Sequence, residues 1–415
     1  MDPDQHSIKQ YLQEHQEEMV EMTQRLCSLA TENPPGHHFE ECVDYLEEIM
    51  RARGFATQKV RVPLEYQKKY LPPELWDKPR FNLISRWDTG GSKILHFNSH
   101  YDVVPATEGW KTDPFAPVIR GQRLFGRGTS DMKGCLVASI FAAQALRDLK
   151  LRPVWNLEFS FTADEEIGGE CGAGFLVKNK IVQPDAAIVC EGGAGDSIMI
   201  GHRGVLWADI HVHGVPAHGS NPGAGINAFE RGIHLAGRFL EYHQRCLERV
   251  TQHEMDKPHS RRPSMTLGGV SGGGSKVNTI PGWFHFTIDR RLIPEERVAS
   301  VIREFQAILR EAKRQDKTLK AEMKILTGFD AALTDSDSSL CRAACQAVRA
   351  VTGKIPNPRI FGAFTDLHFF TNQARCPTIG YGVEGNGIHG HQEYLVIPSL
   401  VKTARVYAEI ARTLP

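Results

Sequence analysis

The sequence predicts an α/β protein built on a mostly parallel sheet, with a smaller α+β layer inserted into it. Three observations carry this. The short runs "KILHFNSH", "WNLEFSFTA" and "DAAIVCEGG" have the near-continuous apolar character of strands covered on both faces. A helical pattern, "MKGCLVASIFAAQALRDL", separates the first of them from the second, and alternating strand and helix is how parallel sheets are connected. After Cys190 the character changes, because "LWADIHVHG" alternates apolar and polar residues as a half-exposed strand does.

From Gln10 to Gly54 the apolar residues of "MVEMTQRLCSLA" and "CVDYLEEIMRARG" recur at helical spacing, and Gly54 is placed as a stop. The segment Val62 to Pro79, "VPLEYQKKYLPPELWDKP", is rich in Pro and aromatics and reads as a surface excursion between two strands. In the inserted layer a long helical pattern runs from Ala224 to Val250. "SMTLGGVSGGG" and "WFHFTIDRRL" read as strands, and "EERVASVIREFQAILREA" as a second helix. "SSLCRAACQAVRAVTG" and "PSLVKTARVYAEIARTL" are helices that return to the first domain. The expected boundaries are therefore 1–197 with 318–415 for the main domain and 198–317 for the insertion, and 415 residues suffice for two domains.

Composition excludes several classes. Lys plus Arg and Asp plus Glu are both 49, so no net field favours nucleic acid or an anionic membrane. No apolar run approaches 18 residues, and "MDPDQHSIKQYLQEHQEEM" lacks the pattern of a signal peptide. Nine Cys without CxxC spacing argue against a disulfide framework and a thiolate zinc site, and Cys341 and Cys345 read as small core residues. A reducing cytoplasm is the expected setting.

Each predicted strand of the main domain ends in potential ligands. "KILHFNSHYD" ends in His100 and Asp102, "RGTSDMKG" presents Asp131, "FTADEE" ends in Glu165 and Glu166, and "IVCEGG" in Glu191. The carboxyl ends of parallel strands open onto one edge, where ligands bind. The Gly-rich "GIHGHQE" adds His389, His391 and Glu393. Taken singly, Asp131 would serve as a helix N-cap and the Glu165–Glu166 pair as a solvated loop; four such endings in succession point instead to one site. A few His with several carboxylates suit Zn, Mn or Co better than Mg or Ca. There are more candidates than one tetrahedral ion needs, which suggests two metals sharing a carboxylate.

These residues also carry a resemblance. "HYDVVPA", "GRGTSDMKG", "TADEEIGG", "CEGG" and "GIHGHQEY", in this order, resemble the signatures of the co-catalytic zinc amidohydrolases and peptidases typified by acetylornithine deacetylase, succinyl-diaminopimelate desuccinylase, aminoacylase-1 and glutamate carboxypeptidase. The resemblance runs from about Arg25 to the C-terminus and includes "HRGVL", "HVHGVPAHGS" and "GGGSKVNTIPG" in the insertion. It implies a zinc-peptidase-type catalytic domain with an inserted lid and dimerisation domain, and two zinc ions, replaceable by Co or Mn. His100 and Glu191 would hold one ion, Glu166 and His389 the other, and Asp131, followed by a cis peptide, would bridge them. Asp102 would orient the His100 ring, and Glu165 would be the general base for a metal-activated water attacking an amide. Adjacent residues on a nearly extended backbone point to opposite sides, which would separate Glu165 from Glu166; Asp164 is expected outside the site.

The resemblance further implies that His218, reaching across a homodimer interface, donates to the tetrahedral oxyanion. Arg203, Asn278 and Arg290 match positions that grip substrate, Arg290 being preferred to Arg291 because only one of two neighbours on a strand faces inward. "GAFTDLHFF" departs from the deacetylase and desuccinylase pattern: Phe364 stands where a hydroxyl residue is usual and His368 where Arg is usual. That disfavours acetylornithine or succinyl-diaminopimelate and suggests a bulkier or more apolar substrate near Phe364. The expected function is hydrolysis of N-acyl-L-amino acids or similar small amides. The alternative is a dipeptidase or carboxypeptidase of the same family; Glu191, where aminopeptidase relatives tend to have Asp, favours deacylases and carboxypeptidases. A non-catalytic binding protein is disfavoured because Glu165 and all five ligand positions are filled.

Overall fold

In the computed structural model, which describes residues 2–415, the three apolar runs form the strands Ile94–His100, Asn156–Thr162 and Ala186–Val189. Their side chains are buried almost throughout, as strands covered on both faces require. From one edge, the first six strands of this nine-stranded sheet are Ala56–Arg61, Phe81–Trp87, Asn156–Thr162, Ile94–His100, Ala186–Val189 and Thr378–Gly380. The last four of these are mutually parallel, and the first two pair antiparallel.

The helices Gly134–Asp148 and Ile397–Thr413 are buried along nearly their whole length and pack on each other. Fully burying a Leu, Val or Phe contributes roughly 1.5–3 kcal/mol. The helices Pro3–Glu14 and Gln16–Ser28 pack on this pair, and Phe39–Ala52 on the antiparallel edge strands. Val62–Pro79 does lie between two strands, but it is not irregular: it contains the helix Leu64–Tyr70 and a short turn of helix, Pro73–Leu75. All nine cysteines are free thiols. Among the described residues no helix is long and apolar enough to cross a membrane.

The chain divides into two compact units, one of Met1–Gly201, Thr334–Arg359 and Thr365–Pro415, the other of His202–Leu333 and Ile360–Phe364. The second is an antiparallel sheet in the order Ser264–Gly273, Trp283–Leu292, Gly204–His213, Lys320–Phe329. The amphipathic helices Ala228–Cys246 and Val298–Gln315 cover one face, where Leu235, Phe239, Phe305 and Leu309 bury against Leu206, Ile210, Phe286 and Ile288. Asn227 caps the first helix by accepting from the Phe229 and Glu230 amides at 3.0 and 3.3 Å, worth about 1 kcal/mol.

The boundaries 198 and 317 need correction. Lys320–Phe329 pairs with Gly204–His213 along its length, with Ala321 opposite Val212, so the second unit continues to Leu333. The strand is charged on its outer face and sits at a sheet edge, which hid it in the sequence. Phe364 also belongs to this unit.

Candidate metal centre

All five predicted ligands lie in the first unit and converge. Strand Ile94–His100 ends on His100, Asn156–Thr162 runs into Glu165 and Glu166, and Ala186–Val189 into Glu191. Adjacent strands are about 4.8 Å apart, so groups just beyond their ends meet. His100 Nε2 is 3.2 Å from Asp131 Oδ1 and 3.9 Å from Glu191 Oε2. His389 Nε2 is 3.3 Å from Asp131 Oδ2 and 3.0 Å from Glu166 Oε2. Asp131 therefore presents one oxygen to each imidazole.

Two donors of a tetrahedral ion, each bonded at about 2.0–2.1 Å, lie about 3.3–3.4 Å apart. The spacings around Asp131 are of that size. Glu191 Oε1 is buried and has no hydrogen-bond partner, an orphan that a cation would satisfy. Two imidazoles and three carboxylates in this arrangement fit a pair of divalent transition ions.

The electrostatics agree. Burial, then the charges of Glu191 and Glu166, pushes Glu165 well above the ordinary carboxylate range. Burial and the Asp131 and Glu166 charges do the same to Glu191. Burial opposes ionisation of Asp131 too, but hydrogen bonds from His100 and His389 outweigh it and hold this carboxyl low. The hydrogen bonds to Asp131 and Glu166 push His389 up to about 10. Protons on the imidazoles stand in for positive charge here, and bound cations would supply that charge directly.

Neighbouring groups hold these residues in place. The Asp131–Met132 peptide is cis, as the resemblance implies. The buried Glu393 accepts from the Gly128, Ser130 and Asp131 amides at 3.0, 3.0 and 3.2 Å and from Arg127 at 2.8 Å. It clamps the turn that carries Asp131; the sequence had offered it only as a further ligand. Two residues on, the buried Lys133 ammonium donates to the Leu26 and Leu29 carbonyls at 2.8 and 2.9 Å, tying that turn to the end of helix Gln16–Ser28. His389 sits in the loop between Gly385–Asn386 and Tyr394–Val396, two strands of a small sheet with Arg123–Phe125 and Val118–Arg120. His391, exposed, lies against Gly109.

Asp102 acts more broadly than expected. The nearest partner of His100 Nδ1 is the Asp102 backbone carbonyl, at 2.9 Å, with the carboxylate at 3.5 Å. The carboxylate accepts instead from the Glu165 and Glu166 amides, each at 3.3 Å, and from Asn33 at 2.8 Å. Glu165 and Glu166 are not extended: Glu165–Ile167 is a single turn of 3-10 helix, entered through Asp164 at φ 66°. Asp164 faces away, bound to Arg80 at 2.7 Å and Asn33 at 2.9 Å, both buried. A further carboxyl, Asp366, lies within "GAFTDLHFF", where only Phe364 and His368 had drawn notice. It is fully buried and pushed up to about 8 by burial, then by Asp102 and Asp164 against the pull of His100. His368 is buried beside it, its Nδ1 2.8 Å from the Thr365 carbonyl.

In the second unit His218 is exposed, with Nδ1 2.7 Å from Ser220 Oγ. The Gly219 amide donates to the Asn278 carbonyl at 2.8 Å, which brings these two candidates together. Arg203 is buried, donating to Ser264 Oγ at 3.0 Å and the Arg291 carbonyl at 3.1 Å; burial and the charges of Arg291 and Arg290 push it down to about 10. The preference for Arg290 is overturned. Its side chain is fully buried among the helices and pairs with Glu296 at 2.6 Å, so no face is left for a ligand. Arg291, on the opposite pleat, is partly exposed, bound to Asp289, and lies 5.9 and 5.8 Å from the Trp207 and Phe364 rings. Phe364 packs edge-on to Trp207 at 6.1 Å and against Phe329.

Comparison with known proteins places these observations. The profile of peptidase family M20/M25/M40 matches residues 96–413. An uncharacterized metallohydrolase of Methanocaldococcus jannaschii is 26% identical over 363 residues, 83% of this chain and 87% of the relative. The succinyl-diaminopimelate desuccinylase of Gluconobacter oxydans is 29% identical over 351 residues, 82% and 87% of the two chains. Among solved structures, the di-peptidase Dug1p of Saccharomyces cerevisiae superposes with a TM-score of 0.79 at 18% identity, covering 99% of this chain and 98% of its own, a likeness of fold.

Proposed function

The chain belongs to peptidase family M20/M25/M40, and on that premise we propose that it is a metal-dependent amide hydrolase acting on N-acyl-L-amino acids or similarly small amides. The observation that carries this is the placing of Asp131 between His100 and His389, with Glu166 and Glu191 alongside and the Glu165 carboxylate 3.9 Å from His100. His100, Glu191 and Asp131 would hold one divalent ion, and His389, Glu166 and Asp131 the other. Zinc suits the mixed nitrogen and oxygen donors. The ions, when bound, polarise the amide carbonyl and make water a nucleophile near neutral pH.

Glu165 does the proton work. Its backbone is fixed by Asp102, its carboxylate is buried beside the ligands, and the neighbouring acids raise its basicity. It takes the proton from the attacking water and returns it to the departing amine, so one residue serves as base and then as acid. His218 is proposed to donate to the developing oxyanion, and Arg203, Asn278 and Arg291 to contact a substrate carboxylate, Arg291 replacing Arg290 in that role. Assembly as a homodimer through the second unit belongs to the same proposal.

A carboxylate is offered equally by an N-acyl amino acid and by the C-terminus of a dipeptide, so a hydrolysis screen must include both. N-acetyl, N-succinyl, N-formyl and long-chain N-acyl amino acids are compared with dipeptides, under zinc, cobalt and manganese. Turnover of the acylated set above the dipeptides is expected, and the reverse order would make the chain a peptidase. E165A should lose at least about 10³-fold in kcat while keeping about two ions per chain. Undiminished turnover in that variant would remove Glu165 from its role.

A further inference from the structure

The sheet of the second unit has a face its helices do not cover. On Gly204–His213 the residues Leu206, Ala208, Ile210 and Val212 are buried under the helices, so Trp207, Asp209, His211 and His213 point the other way. On the neighbouring strand His285 stands directly opposite His211, and Asp209 lies one pleat along from that pair on the same face. We propose that Asp209, His211 and His285 form a binding site for a single divalent transition ion of the Zn²⁺ or Cu²⁺ class.

Asp209 Oδ2 is 3.0 Å from His211 Nε2, and Asp209 Oδ1 is 3.1 Å from His285 Nδ1. These are close to the about 3.3 Å separating two donors of one tetrahedral ion. Among the described residues only one other trio of His, Cys, Asp or Glu has ligand atoms within 4.8 Å of one another, and it is His100, Asp131 and Glu166 of the metal centre. The imidazoles are held in register: the His211 and His285 rings stack at 5.6 Å, and the Trp283 and His285 rings also stack at 5.6 Å. Side-chain exposures of 15% for Asp209, 19% for His285 and 35% for His211 leave the trio within reach of solvent. Two nitrogen donors and one carboxylate disfavour Mg²⁺ and Ca²⁺. Three protein ligands leave a coordination position for water or a further group. Holding two adjacent strands together, such an ion would stabilise this unit whenever it is bound.

The bare alternative is that Asp209 only accepts N–H bonds from the two imidazoles. Metal content decides between them. Full-length chain, H285A and D209N are equilibrated with zinc at free concentrations near 1 µM, freed of excess, and measured for ions per chain by elemental analysis. The native chain is expected to hold about one ion more than either variant, and that difference reads the same whether the metal centre itself takes one ion or two. Cu²⁺ loading should likewise give the native chain a second paramagnetic component with nitrogen splittings, beyond that of the metal centre, which both variants lose. D209N removes the charge while keeping the shape, so it remains informative if H285A fails to fold. Equal ion content in all three chains, or an extra ion in the native chain that survives D209N, overturns the proposal.

Discussion

Asp102 shows how much of the candidate metal centre hangs on one residue outside the proposed ligand set. Its backbone carbonyl receives His100 Nδ1, and its carboxylate holds the amides of both Glu165 and Glu166. An imidazole and a carboxylate proposed as ligands, and the proposed base, therefore share one anchor. D102A should weaken metal binding by about 10–100-fold, as loss of a group that orients ligands does, measured by competition with a chelator. It should also lower kcat at saturating metal, because Glu165 loses its anchor even when the ions are in place. D102N keeps the shape and one acceptor, and is expected to fall between the two. The support for Asp102 comes from further away in the chain: Asn33 donates to it and also to Asp164, which Arg80 pins in turn.

Single strands place their residues by parity, and parity has consequences on both sheets. On strand Trp283–Leu292 Arg290 faces the helices and Arg291 the open side. Replacing Arg290 by Met should destabilise the protein by about 3 kcal/mol, because Glu296 is left inside the unit with a charge only partly matched by Arg249. R291A should change stability by no more than about 1 kcal/mol, since its pair with Asp289 is partly exposed, and should raise KM for carboxylate-bearing substrates. Urea midpoints and KM values separate the two. In the central sheet Glu158 is buried between His96 at 2.9 Å and Arg86 at 2.6 Å. Burial raises its pKa, but these partners outweigh it and hold the carboxyl below its ordinary 4.5. A depressed acid stabilises the fold above its unfolded value and loses that contribution as pH falls through its folded value. Stability should accordingly drop more steeply below about pH 4.5 in the native chain than in E158Q, read from urea midpoints between pH 3 and pH 6.

At the scale of the molecule, the second unit carries its own core and its own sheet, closed by the edge strand Lys320–Phe329. A segment spanning 202–333 should melt cooperatively by near-ultraviolet circular dichroism. One ending at 317 should not, because Gly204–His213 then loses the partner along one side and Leu319, Ala321 and Phe329 no longer cover their neighbours. Failure of the longer segment to melt cooperatively would show that this unit depends on the rest of the chain. The first unit holds every proposed ligand of the paired metal centre, so chelation should lower its melting temperature and leave the excised second segment changed only by the ion proposed at Asp209.

The gathering of His100, Asp131, Glu165, Glu166, Glu191 and His389 was legible because each stands near the end of an apolar run or in a Gly-rich loop, and parallel topology carries such ends to one edge whatever the details of packing. The α/β class, the inserted layer and nearly all the long helices follow in the same way from local periodicity. Other assignments depended on contacts between segments far apart in the chain. Glu393 supports the Asp131 turn from more than 260 residues away, and nothing in "GIHGHQE" distinguishes a clamp from a ligand. Glu165 and Glu166 are placed by a 3-10 turn held by Asp102, not by strand alternation. The inward choice of Arg290 led to the core because two sheet faces are both "inward" until the helices are placed on one. The sequence by itself determined which chemical groups exist and which element each one ends. Only the tertiary structure decided which groups share a face and which donor each acceptor receives, because those depend on distances across the fold that no local pattern encodes.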